Sequence, residues 1–551
     1  MTALATVLLA AAAAVGSPVK GGTIRFNGGQ PPKSFNAYVD NNSYSSMVFD
    51  LMYDKLLGMS SATGELEPAL AERWEVSPDG RAFTFWLNPR AKWSDGEPVT
   101  PADVKWTFDT VMDPKNDTGP WKSTLGFFQS PEIVGERAVR FVKKGDSPRD
   151  WRDILNCAMF WILPKHAFGN AVFNKLGMIR AVSGSAYWID RAEPQIETEL
   201  KRHGRWWRQD DPDCRAYMNF DRIVLRYYAD NENAFEAFKK RKTDVYPVYT
   251  ARIYTNETGG ERFRRNWILK RRVRNHAPIG FQGFAMNLRR KPFDDVRVRK
   301  AMAMLLDRET MNRTMMNGAY FLLKSYYPDL YDREHPCPVA GIPYDPEGAR
   351  KLLAEAGYAG GFSFKFLSRS STEDKFLALY DHALRSCGIT MTIVRKDFAG
   401  WMRDTDSFDF DMTWAAWGSG TVKYPEIQWS SKEADRKGSN NITGFKSKAV
   451  DELIAAEKGF SRAADRLAAY RKIDALVAAE VPYVLLWQTD STRLLYWNKF
   501  GMPKSVLEKF SREDCILSSW WYDVDRAEEL EREISRDGFL PSVPEIVDYD
   551  L

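Results

Sequence analysis

Apolar and polar positions along this chain switch repeatedly between strand-like and helix-like periods. Thr23 to Phe26 reads as a short strand that runs into Asn27-Gly28-Gly29-Gln30-Pro31-Pro32. Glycine and proline there force a turn and let the backbone approach a neighbour closely. Ser43 to Leu57 carries apolar residues at Met47, Val48, Leu51, Met52 and Leu56, the stripe of a helix. Trp74 to Leu87 holds two β-rich runs around Ser77-Pro78-Asp79-Gly80 and predicts a hairpin. A second turn, Ser94 to Pro98, leads to Thr100 as N-cap, with Pro101 at the first helical position and Asp103 two further on, starting a helix through Met112. Farther along, Arg222–Tyr228, Asp244–Tyr249, Phe281–Leu288, Phe362–Leu367 and Val484–Trp487 read as strands. Glu232–Lys240, Asp295–Leu306 and Pro346–Ala356 read as helices, the last stopped by Gly357. Val450–Glu480 contains two helical stretches with Arg466, Arg471 and Lys472 on solvated faces. The pattern is α/β, without internal repeats or a low-complexity linker. The domains must then be joined by strands that cross between them more than once.

Length and composition narrow this picture. A chain of 551 residues exceeds one hydrophobic core and predicts two or three domains. Lys+Arg 78 against Asp+Glu 74 leaves a net charge of only +4, unlike the concentrated basic excess of a nucleic-acid binder. The one long apolar run, Ala3 to Val15, is too short to span a bilayer, which needs roughly 20 residues. With Gly16-Ser17-Pro18 behind it, it has the form of a signal-peptide core, although no Lys or Arg precedes it. Residues 1–20 are therefore expected to be a signal peptide. No cysteine lies in the first 150 residues to carry a lipid anchor, so the expectation is soluble export to a periplasm.

Chemistry-bearing motifs are sparse. Five cysteines (Cys157, Cys214, Cys337, Cys387, Cys515) allow at most two disulfides and form no CxxC pair. Five scattered histidines give no zinc spacing. There is no GxSxG elbow, Walker loop or GxGxxG, so neither an enzyme nor a bound cofactor is expected. The charge cluster Arg262 to Arg274 reads as a solvated surface beside a strand. More informative is Asp409 to Trp429, where Trp414, Trp417, Tyr424 and Trp429 surround a Gly418-Ser419-Gly420 turn, a candidate cleft wall.

Taken in order, several segments resemble solute-binding proteins of the peptide/nickel family of ABC importers. They are Leu66 to Trp74, Pro78-Asp79-Gly80, Lys92 to Thr100, Ala102-Asp103-Val104, Gly184 to Tyr187 and Arg205-Trp206-Trp207. Asn287 with Pro292 to Ala301, Asp307-Arg308-Glu309, Asn441, Val450-Asp451, Arg466 and Val481-Pro482 continue the series. Tyr496 to Pro503 and Trp520 to Asp523 look like the oligopeptide/microcin-C-binding branch. The resemblance implies an α/β, two-lobed periplasmic binding protein fold with an extra domain and hinge strands. Its implied boundaries are lobe I at 22–57, 180–278 and 485–551, the extra domain at 58–179, and lobe III at 279–484, with hinges near 275–283 and 482–488. It further implies a monomer that closes on an oligopeptide or peptide-like ligand and delivers it to ABC permease subunits with a cytoplasmic ATPase. The expected ligand contacts are Asn27, Gly28, Gly29, Gln30, Trp121, Tyr246, Tyr249, Trp414, Trp417, Gly418, Gly420 and Tyr424. One departure stands out. Many peptide-binding relatives place an amine-pairing Asp where this chain has Gly420. Asp40 or Asp244 could substitute, or the ligand could be a saccharide or another amphiphile. A cleft enzyme would need an acid–base pair facing the cleft.

Overall fold

The structure is a computed structural model that describes residues 17–29, 31–40, 43–146, 149–332 and 335–549. The apolar run Ala3 to Val15 and the candidate Gln30 lie outside the described residues. Four sheets of four or five strands organise the chain. The first contains, in spatial order, Thr23–Gly29, Arg222–Tyr227, Glu197–Arg202 and Tyr187–Glu193; its first pair is parallel and the others antiparallel. The second contains Val245–Pro247, Thr492–Trp497, Ile268–Arg274 and Ile546–Asp548. The third has five strands: Thr390–Arg395, Ser363–Ser368, Met412–Trp417, Phe281–Met286 and Tyr483–Leu485. The fourth is wholly antiparallel: Ala71–Val76, Ala82–Leu87, Ala138–Val142 and Glu132–Val134. The chain passes from the second sheet to the third after Arg274 and returns after Leu485, so the strands do cross twice.

Period-two burial explains why the third sheet is sandwiched. Phe284 and Met286 face a core with Phe366, Met412 and Tyr380, whereas Phe281 and Ala285 face another with Tyr326, Trp429 and Tyr483. The first and fourth sheets share one continuous core that runs from Ile24 and Phe26 through Phe85 and Phe141. No buried residue of that core belongs to either core of the third sheet. One face of the second sheet, with Val245, Leu269, Val273, Leu494 and Tyr496, joins the core of the first and fourth sheets, and the other packs on a separate group that includes Phe235, Phe238, Tyr246 and Trp497.

Local chemistry matches the pattern at several starts and turns. Helix Pro101–Met112 begins where expected. The Asp103 carboxylate, 4% exposed, accepts from the Thr100 N–H and hydroxyl at 2.8 Å each and from the Lys165 N–H at 2.8 Å. The basic run at 262–274 is largely paired: Arg272 and Arg274 both reach Asp490, at 3.2 and 3.1 Å, and Lys270 reaches Glu545 at 3.5 Å. All five cysteines are unpaired, and all but Cys337 are buried. Arg466 differs from its expected solvated position, because its guanidinium lies 4.0 Å from the Trp151 ring and donates to the carbonyls of Phe460 and Ser461. Helical periodicity places a residue on the outer face of its own helix, but it cannot show that a distant tryptophan covers that face.

Candidate functional site

A cavity of about 790 Å³ opens at the C-terminal ends of the parallel pair Thr23–Gly29 and Arg222–Tyr227. Strand ends of a parallel pair leave a crevice because the following loops diverge to opposite faces. Four segments in or beside the first two sheets build much of the wall. Phe26, Asn27 and Gly29 come from the first strand, and Met47 and Asp50 from helix Ser43–Met52. Tyr228 and Asp230 follow the second strand, and Tyr249 follows Val245–Pro247. Glu508 to Ser518 supplies much of the remainder. Ser419 reaches in from the loop after Met412–Trp417, across from the others.

The strand end is shaped for this. Register with Arg222–Tyr227 slips between Asn27 and Gly29, leaving Gly28 unpaired as a bulge. A Cβ on Gly28 would lie 2.8 Å from the Tyr227 ring, and Gly29 sits at φ +66°, a conformation glycine adopts without strain. The Asn27 side chain accepts from the Gly29 N–H at 3.0 Å and so holds the bulge closed.

Five carboxylates line the cavity: Asp50, Asp230, Glu508, Glu513 and Asp514. Arg512 is the one guanidinium among the lining residues, and it donates to the Pro278 carbonyl at 2.7 Å. Asp50 pairs with Lys55 at 2.7 Å and accepts from the Trp161 indole at 2.8 Å, while Asp230 caps helix Asn231–Lys239. Glu513 accepts from the Tyr249 hydroxyl. Burial pushes the Glu508 carboxyl up from its ordinary value, an effect that Tyr217 and Ser511 partly oppose.

The other expected contacts sit elsewhere. Gly28 borders a small adjoining pocket with Phe35 and Phe49. Tyr246, 3% exposed, packs on Phe235 and Phe238 and donates to the Asn231 carbonyl at 3.0 Å. Trp121 makes edge contacts with Tyr38 and Trp161, both at 5.2 Å between ring centroids. Trp414 and Trp417 point to opposite faces of one strand. The first donates to the Gln282 side chain at 3.1 Å and the second to the Tyr483 hydroxyl at 3.0 Å. The Tyr424 ring lies 5.0 Å from the Arg152 guanidinium. Asp244 is occupied by Lys499 at 2.7 Å and by the Arg25 N–H at 2.7 Å; Asp40 accepts from the Lys33 and Ser34 N–H groups.

The turn around Gly420 is filled from within the chain. The Lys423 ammonium, 5% exposed, pairs with Asp329 and donates to the Ser419 hydroxyl at 2.6 Å and the Gly420 carbonyl at 2.8 Å. A Cβ at Gly420 would sit 3.3 Å from the Val422 carbonyl, so the turn is tight as well as occupied. Among the described residues no group of three or more His, Cys, Asp or Glu could hold a metal ion, and no helix is long and apolar enough to cross a membrane.

Comparison with known proteins places these features in context. A family model described as bacterial extracellular solute-binding proteins, family 5, middle, matches residues 65–438. A peptidoglycan-binding protein of Agrobacterium fabrum, YepA, is 29% identical over 525 residues, covering 86% of this chain and 84% of its own length. Another protein of that organism, named "Probable peptide-binding protein YejA", is 27% identical over 546 residues, covering 89% and 88%. Among solved structures, the ABC transporter-associated periplasmic binding protein DppA of Helicobacter pylori, in complex with peptide STSA, superposes with a TM-score of 0.70. It covers 92% of this chain and 99% of its own at 19% identity, a likeness of fold.

Proposed function

Because the chain belongs to family 5 of the bacterial extracellular solute-binding proteins, we propose that it captures a peptide or peptide-like solute and delivers it to the permease of an ABC importer. The observation that carries this reading is the 790 Å³ cavity, which falls within the range of about 300–1,000 Å³ typical of ligand sites. Its wall comes almost wholly from one side of the double crossing, with Ser419 reaching in from the other, so a ligand that contacts Ser419 bridges both halves and favours the state in which they meet. No bond is made or broken. Backbone groups at the Asn27–Gly29 bulge suit an extended ligand added beside a strand end.

Charge narrows the cargo. Asp50 is already paired with Lys55 and burial pushes Glu508 up, so Asp230, Glu513 and Asp514 against one guanidinium are what favour a ligand with a cationic group, such as a free α-amine, held near Glu513 and Asp514. The amine partner missing at Gly420 is thereby supplied from the opposite wall. The peptidoglycan-binding and peptide-binding names of two relatives support a peptide-bearing ligand, with a cell-wall fragment as one member of that class. A saccharide or other amphiphile without a peptide is the alternative; Phe26, Tyr228, Tyr249 and Phe510 would then be its stacking surfaces.

The division sets apart lobe III (279–484), which the separate cores of the third sheet support, from lobe I (22–57, 180–278, 485–551) and an extra domain (58–179), which share one core. Segments 275–283 and 482–488 act as the hinge, the protein works as a periplasmic monomer, and Tyr496–Pro503 with Trp520–Asp523 suggests the oligopeptide/microcin-C-binding branch. Native mass spectrometry of protein isolated from its own periplasm tests the function. A co-purified peptide-bearing compound is the expected result. A saccharide without a peptide overturns the cargo, and covalent turnover of the bound molecule overturns the receptor role.

A further inference from the structure

Asp150-Trp151-Arg152 lies in the part of the chain that carries the fourth sheet, yet it plugs into the helical surface around the third. The Arg152 side chain is 1% exposed. Its guanidinium holds Asp150 through Nε and Nη2, both at 2.9 Å. Nη1 donates to the Lys423 carbonyl at 3.0 Å and to Glu426 at 3.1 Å, and Nη2 meets Glu426 at 3.1 Å and Glu457 at 3.0 Å. Glu457 is fully buried and also accepts from the Trp151 indole at 3.2 Å and the Tyr470 hydroxyl at 3.0 Å. The Trp151 N–H donates to the Lys458 carbonyl at 3.0 Å. Sequence separations of 271 to 307 residues make this a contact between distant parts of the chain.

Two properties set this seam apart from a permanent interface. Among the described residues no buried apolar cluster spans it: the core that holds the fourth sheet contains no residue of 279–484. Its binding groups are charges, whose mutual attraction is largely offset by the cost of removing them from water. On parting they regain full hydration, whereas a parted apolar core leaves its surface exposed. Such a seam can form and open reversibly.

From the seam a short relay leads to the cavity. Arg152 grips the Lys423 carbonyl from outside the loop. The Lys423 ammonium grips the Gly420 carbonyl and the Ser419 hydroxyl from inside it, and Ser419 lines the cavity. We infer that Arg152 is a positioning residue for the ligand site: by docking across the seam it fixes the Gly418–Tyr424 loop in its cavity-facing form. Closure and the shape of that wall are thereby set together. This rests on the reading that the protein encloses a solute in the cavity.

The test uses the full chain without added ligand. Hydrogen exchange follows the amides of 419–424, and small-angle scattering follows the radius of gyration, for the parent protein, Arg152→Ala, Arg152→Lys and the near-isosteric Glu457→Gln. Exchange at 419–424 should accelerate about tenfold in Arg152→Ala and Glu457→Gln, while strands Ala82–Leu87 and Phe281–Met286 keep their protection. The radius of gyration should rise in both. Arg152→Lys keeps the charge but not the fork, so it should restore the compact radius without restoring loop protection. Unchanged exchange at 419–424 overturns the proposal. So does equal acceleration in the two reference strands, or full rescue by lysine, which would leave charge alone as the cause. None of these readouts needs the cargo; failure to find a peptide-like ligand would remove the proposed function and leave the loop result standing.

Discussion

His203 is held as a neutral ring by what surrounds it. Its Nε2–H donates to the Ser185 carbonyl at 2.7 Å beside the Ser183 hydroxyl, its Nδ1 accepts from the Arg205 N–H at 3.1 Å, and Trp188 stacks at 5.3 Å. Burial lowers its pKa, and Arg205 and Arg202 add to the effect against the Ser185 carbonyl. The folded state thus disfavours the protonated ring. The stability this contributes is present above the ordinary value of about 6.5 and is lost as pH falls through the lowered one. Melting temperature should drop between about pH 7 and 5, and His203→Gln should flatten that slope. On the cavity wall, Glu513→Gln should weaken an amine-bearing cargo about tenfold, or ~1.4 kcal/mol, by calorimetry with the compound found by mass spectrometry. An unchanged affinity would place the amine elsewhere. The sequence offered no sign of Glu513, because only the folding of the C-terminal region brings it beside Tyr249. Tyr249 itself was readable as the ring that ends a returning strand.

At the scale of single elements, the starts and stops were the most legible features. The Thr100-Pro101-Ala102-Asp103 start needed only local chemistry, and its geometry repeats that chemistry. Asp103→Ala removes a buried acceptor of three hydrogen bonds and should cost about 2 kcal/mol, read by chemical denaturation. Which face of a strand meets the cleft was not legible. Trp414 and Trp417 mark Met412–Trp417 as aromatic on both faces, but pattern alone cannot show that Gln282 and Tyr483 satisfy their indoles. Gly280 also gave no signal, although the crossing strand depends on it. A Cβ there would lie 1.9 Å from the Trp417 carbonyl, so Gly280→Ala should push the Gly418–Gly420 turn outward. A loss of at least about 2 kcal/mol in stability is expected. Weaker cargo binding should accompany it, and intact affinity would show that the turn lies clear of the ligand.

Across the whole molecule, the double crossing followed from the absence of a linker together with strands on both sides of it. The sharing of one core by the first and fourth sheets did not follow from pattern, because period-two burial identifies a buried face but not its partner. The Arg152 seam was illegible for the same reason: Asp150-Trp151-Arg152 looks like any charged turn until Glu426 and Glu457 are brought to it.

That seam also ties the receptor to the medium around it. Attraction between charges weakens as dissolved ions accumulate, with a screening length of about 10 Å at 0.1 M and about 3 Å at 1 M. Parted charges gain from an ion atmosphere that buried ones cannot reach. Raising sodium chloride should therefore favour the open form and faster cargo release, the reverse of what an apolar seam would do. An exported protein of this build would loosen its hold in brine and tighten it in fresh water.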